Sequence, residues 1–436
     1  MEVQNGEELV LVDELAGTIT ARDNVSGTVK IVIRDRYNMS ANGQFQELGV
    51  VNLTINLSRN TDGNELNTVA PQVAAGNDFT LALTADGKVY SWGITDNGVL
   101  GRATDMVENN MAGQVIFSTT VGEGETTAEI TADRIVAIAA GARHALAVDS
   151  EGRLWAWGWN HYGQAGLGED MSYADRPALV TFPAIDTTEN HSEINRTTAV
   201  KIVAVSAGED FSLALDDQGQ VWSFGRNDNG QLGVSGGNQK TPVAVYGFGT
   251  TSAQLENIHT PYKLDEVTAI AAGARHSVAL TAGGAVYTWG DNDYGQRGIG
   301  QSSTPSYQPR EILSGEGYAS DGTPITDNIY AFSHDHTVVA IAAGYTHTLI
   351  LVDENTNKND NGNVYAFGYN YWGSLGNGTQ ENAWFPVRVK TTQNTAQAAV
   401  DIEHIAGIAA GAYASYAFTA DGQVYTWGQN TYGQLA

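Results

Sequence analysis
Cysteine is absent from this 436-residue chain. That excludes a disulfide framework, a thiolate nucleophile and a zinc–thiolate site. Positive charge is scarce: 22 Lys and Arg stand against 49 Asp and Glu, a formal net charge of −27. Phosphate neutralisation on DNA or RNA needs clustered Lys and Arg, and so does docking on an anionic membrane. Neither nucleic acid nor membrane is therefore expected as a partner. No apolar run reaches the roughly 18 residues that span a bilayer. Met1-Glu2-Val3-Gln4-Asn5 has no basic start and no apolar run behind it, so no signal peptide is expected there. Enzyme signatures are missing as well. There is no HExxH helix and no glycine-rich dinucleotide fingerprint. The expectation is a non-enzymatic chain with no cofactor. What is plentiful is Gly, at 50 residues, together with 9 Trp and 19 Tyr. Tight turns and aromatic packing point to β structure, and a hydrophobic content of 42% suits a folded chain.

Length alone allows two to four domains. Repeats change that count. An Ala-Gly or Ala-Ala-Gly step recurs at Gly76, Gly141, Gly208, Gly273, Gly344 and Gly411. A Trp-Gly or Phe-Gly step ends at Gly93, Gly158, Gly225, Gly290, Gly368 and Gly428. The two markers keep step, except for an insertion at Asp353 to Asp360 in the fifth unit. Each unit reads as strands. Ile135 to Ala140, Ala145 to Val148 and Leu154 to Trp157 are apolar runs, the last two joined by Ser150-Glu151-Gly152 as a hairpin. A further turn follows at Gly158 to Gln164. Pro177 to Val180, Pro242 to Val245 and Pro386 to Val389 read as outer strands, where a proline's missing N–H does no harm. Four-stranded units that cannot bury both faces alone do so side by side, which favours a β-propeller. The fold class is thus all-β, with six visible repeats and six or seven blades. The Trp or Phe before each marker glycine is expected to fill the space between blades. Trp155, Trp157 and Trp289 are expected in the core.

The residues also resemble a known family. Ala-Ala-Gly-x-x-His-Ser/Thr, then Asp-Gly, then Val-Tyr-x-Trp-Gly-x-Asn-x-x-Gly-Gln-Leu-Gly is similar to the regulator of chromosome condensation repeat. Ile270 to Gly298 and Val136 to Gly166 carry it almost throughout, and residues 73–436 are covered. The resemblance implies a propeller, usually of seven blades. It implies chromatin binding and guanine-nucleotide exchange on a small GTPase in eukaryotic members. It implies β-lactamase inhibition through aromatic loop residues in a bacterial one, and photoreception by a tryptophan cluster with Arg partners in a plant one. The surroundings of Trp159 look too sparse for the last. A bacterial-type member is the expectation here. The last unit stops at Gly433-Gln434-Leu435-Ala436 without an outer strand. Either the N-terminal region supplies it or the sequence is a fragment.

Residues 1–70 carry none of the markers. Thr28 to Arg34 and Val51 to Leu57 alternate as strands, with Val51, Leu53, Ile55 and Leu57 on one face. The segment is a β-rich lead-in. It reads either as a remnant of an immunoglobulin-like surface module or as a degenerate blade. Asn60 to Asn64 is its linker, and 71–436 is the propeller.

Several polar residues read as structural. His144, His276 and His347 share a position that holds Phe79, Phe211 and Ala414 elsewhere, so packing is expected there, with a backbone hydrogen bond at most. Asn160, Asn227, Asn292, Asn370 and Asn430 sit in turns, where Asn tolerates a left-handed backbone and can bond its own backbone. Asp353 to Gly362 resembles a calcium loop only in part, because Lys358 and Val364 stand at two key positions. His334-Asp335-His336 lacks a third ligand, so no metal is expected.

The variable residues inside the constant turns are the candidates for function. They are Trp159, His161, Tyr162, Arg226, Asp228, Asp291, Asp293, Tyr294, Tyr369, Tyr371, Trp372 and Tyr432. They are expected to emerge on one face of the ring. Aromatic side chains on an acidic rim have the make-up of a binding hot spot. The resulting expectation is a protein-interaction module with a protein partner. Exchange on a small GTPase is the alternative, with Gly247 to Tyr262 and Glu311 to His336 long enough to protrude. A further alternative is an enzyme inhibitor or an extracellular glycan or cell-wall binder, which the Asn, Thr and Gly richness and the acid excess fit.

Overall fold
The computed structural model describes residues 69–103, 111–121, 128–183, 199–247, 262–264, 266–300, 307–312, 337–353, 362–391, 400–402 and 404–435, with strand backbones inside residues 2–55. The six repeats form six antiparallel sheets. Blade 2 shows the plan. Its strands are Ile135–Ala140, His144–Asp149, Leu154–Trp159 and Tyr173–Leu179, paired in that order. Blades 1 to 5 have four strands, and blade 6 has three among the described residues.

Hydrophobic patterning dictates the stacking. In blade 2 the second strand is buried at all six positions and the third at five of six. A strand buried on both faces needs a sheet on either side. Each of the five apolar clusters lies between two consecutive blades. Between blades 2 and 3, for example, Leu146, Val148, Leu154 and Ala156 meet Ala214, Trp222 and Phe224. Trp155, Trp157 and Trp289 are fully buried, as the sequence indicates. Trp157 also ties blades together: its indole Nε1–H donates to the Val99 carbonyl of blade 1 at 2.8 Å. Trp289 and Trp427 do the same to Gln231 and Ser374.

The marker glycine is set by close approach. A Cβ on Gly141 would lie 2.6 Å from the Gly208 carbonyl and 2.1 Å from the His144 ring. The same clash arises at Gly76, Gly208, Gly273 and Gly344, each against the next blade. Beside these glycines runs a chain of backbone bonds. Asn77 donates to Ala142, Ala142 to Glu209, Glu209 to Ala274, Ala274 to Tyr345, and Tyr345 to Ala412. One such bond joins each pair of consecutive blades around the centre.

The outer strands start earlier than the prolines suggest. They run Tyr173–Leu179, Gln239–Ala244 and Ala383–Arg388. Pro177, Pro242 and Pro386 fall inside the register shifts of these edge strands, where no ladder N–H is required.

The N-terminal residues form a seventh, three-stranded sheet of Glu2–Gln4, Gly27–Met39 and Phe45–Ile55, and a hairpin of Val10–Asp13 with Thr18–Ala21. The alternating strands read from sequence are the long antiparallel pair, Thr28 opposite Thr54. Their side chains, the linker at 60–64 and His334 to His336 lie outside the described residues, as does Asp353 to Gly362 apart from its two ends.

Candidate functional site
Strand direction fixes which loops share a face. In blade 2 the second strand starts at His144, opposite Gly158 at the end of the third. The turn after the third strand therefore lies on the same face as the loop between the first two. The short hairpin turns and the outer-to-inner connections lie on the opposite face. Every candidate side chain sits in the first group of turns.

Those turns are built by the constant residues. Asn160 Oδ1 accepts the Ala165 N–H at 2.9 Å, and its Nδ2 donates to the Met171 carbonyl at 2.7 Å. Asn227, Asn292, Asn370 and Asn430 accept the same bond from Leu232, Arg297, Leu375 and Leu435. None of the five has a positive φ, so the left-handed tolerance is not used, and the side-chain bond to the turn backbone is why Asn is required. Gln164 Oε1 accepts the Tyr162 N–H, and Gln231, Gln296 and Gln434 act alike. Such bracing holds the variable side chains on a rigid platform.

The histidines are structural; each meets a hydroxyl side chain of the next blade, and His144 also interacts with the Phe211 backbone. His144 Nε2 meets Ser212 Oγ of blade 3 at 2.9 Å, and Ser212 donates to the Gln164 carbonyl at 2.7 Å. With the hydroxyl proton spent, the imidazole must be the donor, which fixes the Nε2–H tautomer. His276 with Thr348 and His347 with Ser415 repeat the arrangement. Burial drives all three well down, His144 and His276 to about 3 and His347 to about 4.

The candidate residues gather into two groups. In blade 2, Trp159 stacks on His161 with centroids 5.9 Å apart and meets Tyr162 edge-on at 5.6 Å. The Arg143 guanidinium lies over Trp159 at 5.2 Å, and Arg226 of blade 3 over Tyr162 at 5.0 Å. Arg226 also pairs with Asp228 at 2.7 Å and with Asp210 at 3.4 Å. These carboxylates hold its guanidinium firmly charged. Burial raises the Asp210 carboxyl, and Arg226 partly offsets that. Trp159 thus has arginine and aromatic company, but its ring partners among the described residues are His161 and Tyr162, with no second tryptophan.

The second group spans blades 4 to 6. Tyr369 contacts Tyr294 at 4.9 Å, Tyr413 at 6.0 Å and Tyr371 at 6.4 Å. Tyr371 meets Trp372 edge-on at 5.0 Å. Tyr294, Tyr371, Trp372 and Tyr432 are exposed. Asp293 is exposed beside Tyr294, and Tyr432 stands in the turn of blade 6. Between the groups, Glu209 pairs with Arg275 at 3.0 Å and accepts a hydrogen bond from Tyr345. Burial, then Glu209, pushes the Tyr345 phenol up to about 12.

Arg143, Glu209, Asp210, Arg275, Tyr345 and Tyr413 were missed by the sequence reading. They are the two variable residues between the marker glycine and the His or Phe position. Variable residues framed by constant ones were the available signal, as in the outer turns. The two long connections leave from the other face: Arg310–Glu311 pairs with Tyr287 and Thr288 near the start of its strand, and Thr337 pairs with Asp353. The connections themselves lie outside the described residues. No helix among the described residues is long and apolar enough to cross a membrane.

A profile of the RCC1-like domain matches residues 39–436. The Ultraviolet-B receptor UVR8 of Arabidopsis thaliana is 26% identical over 83% of this chain and 66% of its own length. Protein pim1 of Schizosaccharomyces pombe is 29% identical over 56% of this chain and 41% of its own. The chain therefore spans less than two thirds of the curated relatives it matches. Among solved structures, Prp20p from Saccharomyces cerevisiae, described with its binding to Gsp1p and histones, aligns with a TM-score of 0.54 at 21% identity, over 98% of this chain and 85% of that one. The match over most of the residues and the shared repeat fold make this chain a member of the RCC1-like domain family.

Proposed function
We propose that this chain is a non-enzymatic protein-interaction module that binds a protein partner through the braced turns on one propeller face. The observation carrying this reading is the pair of aromatic groups, half-buried at Trp159, Tyr162 and Tyr369 and exposed at Tyr294, Tyr371 and Trp372, held in place by buried Asn and Gln bonds and flanked by paired charges. Rigid, exposed aromatic anchors lose little entropy on binding and dominate interface energies. The division into a lead-in of about 70 residues and a propeller belongs to the same reading; it is supported by the first repeat marker at Gly76. Affinity capture with mass spectrometry identifies the partner, and direct binding measures it. Replacing Trp159, Tyr162, Tyr371 and Trp372 by Ala, one at a time, should cost about 2 kcal/mol or more for the anchors among them, with the fold intact. Unchanged affinity for all four rejects the reading.

Nucleotide exchange is the second reading, favoured by the length of the two connections, whose flanking strand ends lie on the opposite face. The solved relative Prp20p is described with Gsp1p binding. Deleting either connection should then abolish accelerated nucleotide release from a responsive GTPase, while the four aromatic variants leave it unchanged. No acceleration from any candidate GTPase at micromolar protein ends this reading.

A further inference from the structure
The repeat allows equivalent positions to be compared directly. At the junction of blades 2 and 3, the fourth turn residue of one blade meets the first turn residue of the next. There the pair is Tyr162 and Arg226, a ring under a guanidinium at 5.0 Å. At the junction of blades 4 and 5 the same two positions hold Tyr294 and Tyr369, 4.9 Å apart. A tyrosine stands where the protein elsewhere supplies its own cation. The position that places Arg143 over Trp159 in blade 2 holds Thr346 in blade 5. Neither source of a guanidinium is present. Among the described residues no cation lies over Tyr294, Tyr369, Tyr371 or Tyr413.

The charges point the same way. Arg226 and Arg275 are engaged by carboxylates. Asp291 and Asp293, in the turn that carries Tyr294, take part in no salt bridge among the described residues. The chain as a whole carries −27. Electron-rich ring faces beside carboxylates that have no salt-bridge partner attract a cation and repel an anion.

We infer that the tyrosine cluster of blades 4 to 6 receives an arginine or lysine side chain of the protein partner, which takes the place Arg226 fills within the chain at blades 2 and 3. This rests on the proposed interaction face and names the chemistry recognised there.

The probe is N-acetyl-arginine amide, with the neutral citrulline amide of the same shape as its control. Tyrosine-ring resonances of the full chain are followed by NMR during titration. Arginine should give saturable shifts at Tyr294, Tyr369, Tyr371 and Tyr413, and citrulline none. Tyr369→Ala should weaken arginine binding about tenfold, while Tyr369→Phe, which keeps the ring face, stays within about twofold. Tyr173→Ala, an exposed tyrosine on the outer strand of blade 2, should change nothing. Near-UV circular dichroism confirms that each variant is folded. Absent shifts, equal shifts with citrulline, or equal losses in the Phe and Ala variants overturn the inference. Loss of partner affinity in Tyr371→Ala or Trp372→Ala without any arginine-specific shift refutes this cation site and leaves the interaction face standing.

Discussion
The buried histidines show how one residue type can hold two blades together. Each imidazole is neutral and donates through Nε2 to a hydroxyl on the next blade. Ser212→Ala removes the acceptor and leaves the His144 N–H buried and unpaired. A loss of about 1–3 kcal/mol is expected in urea unfolding. His144→Phe should cost less, because Phe79 and Phe211 occupy the same position and Ser212 keeps its carbonyl acceptor. If the two variants are equally stable, the tautomer assignment is wrong. The same burial makes stability depend on pH. The unfolded imidazoles titrate near 6.5, the folded ones near 3 to 4. The unfolded chain therefore takes up more protons below 6.5. Stability from this source is complete above 6.5 and falls as pH drops toward 4 and 3, by up to about 1.4 kcal/mol per pH unit for each His. The raised carboxyls of Asp210 and Asp291 act in the opposite direction. Comparing the urea midpoint of the parent with a triple His→Phe variant between pH 7 and 5 isolates the imidazoles. Identical slopes would exclude them.

At the scale of the blade, the marker glycine gives a paired prediction. Gly141→Ala drives a methyl against the Gly208 carbonyl and the His144 ring. It should cost about 1–3 kcal/mol, or more if the blades cannot shift. Gly411→Ala is the same substitution in blade 6. There the nearest atom is 3.6 Å away and belongs to Tyr416 of the same blade. It should fall within about 0.5 kcal/mol of neutral. A large loss at Gly411 would mean that another sheet packs against blade 6. Burial agrees with the expected difference. Val364 in blade 5 is fully buried, whereas its counterpart Val424 in blade 6 is 42% exposed. Much of the blade was legible in the sequence, because strand periodicity, hairpin glycines and marker spacing are local. The outer strands were read late, since a proline in an edge strand marks an irregularity inside it and not its start. Asn160 and its equivalents were legible as structural, but not in detail. Their bonds run to residues brought round by the turn, which no local pattern specifies.

For the whole molecule, the charge and the two faces matter most. A partner that presents cations to an acidic scaffold should associate more slowly as salt rises, with dissociation less affected. Stopped-flow association at low and high ionic strength checks this; a rate independent of salt would deny electrostatic steering. Part of the candidate face was legible as variable residues in constant turns. The other part, the inner ring of Arg143, Glu209, Arg275, Tyr345 and Tyr413, was not. Those residues lie one per blade and 66 to 70 residues apart in sequence. Only the stacking of blades makes neighbours of Glu209 and Tyr345, which belong to blades 3 and 5.

The sequence by itself determined that this is a repeat protein of β blades, because a short period is encoded in every copy and each strand's burial is a local pattern. It determined the acidity and the absence of thiol chemistry, because composition needs no coordinates. Tertiary structure decided which variable residues meet. It stacked Trp159 under Arg143, set Arg226 over Tyr162, and put Tyr369 where a cation stands elsewhere. These pairings depend on strand direction and on the register between neighbouring sheets, and both are fixed only when the apolar faces of separate blades pack together.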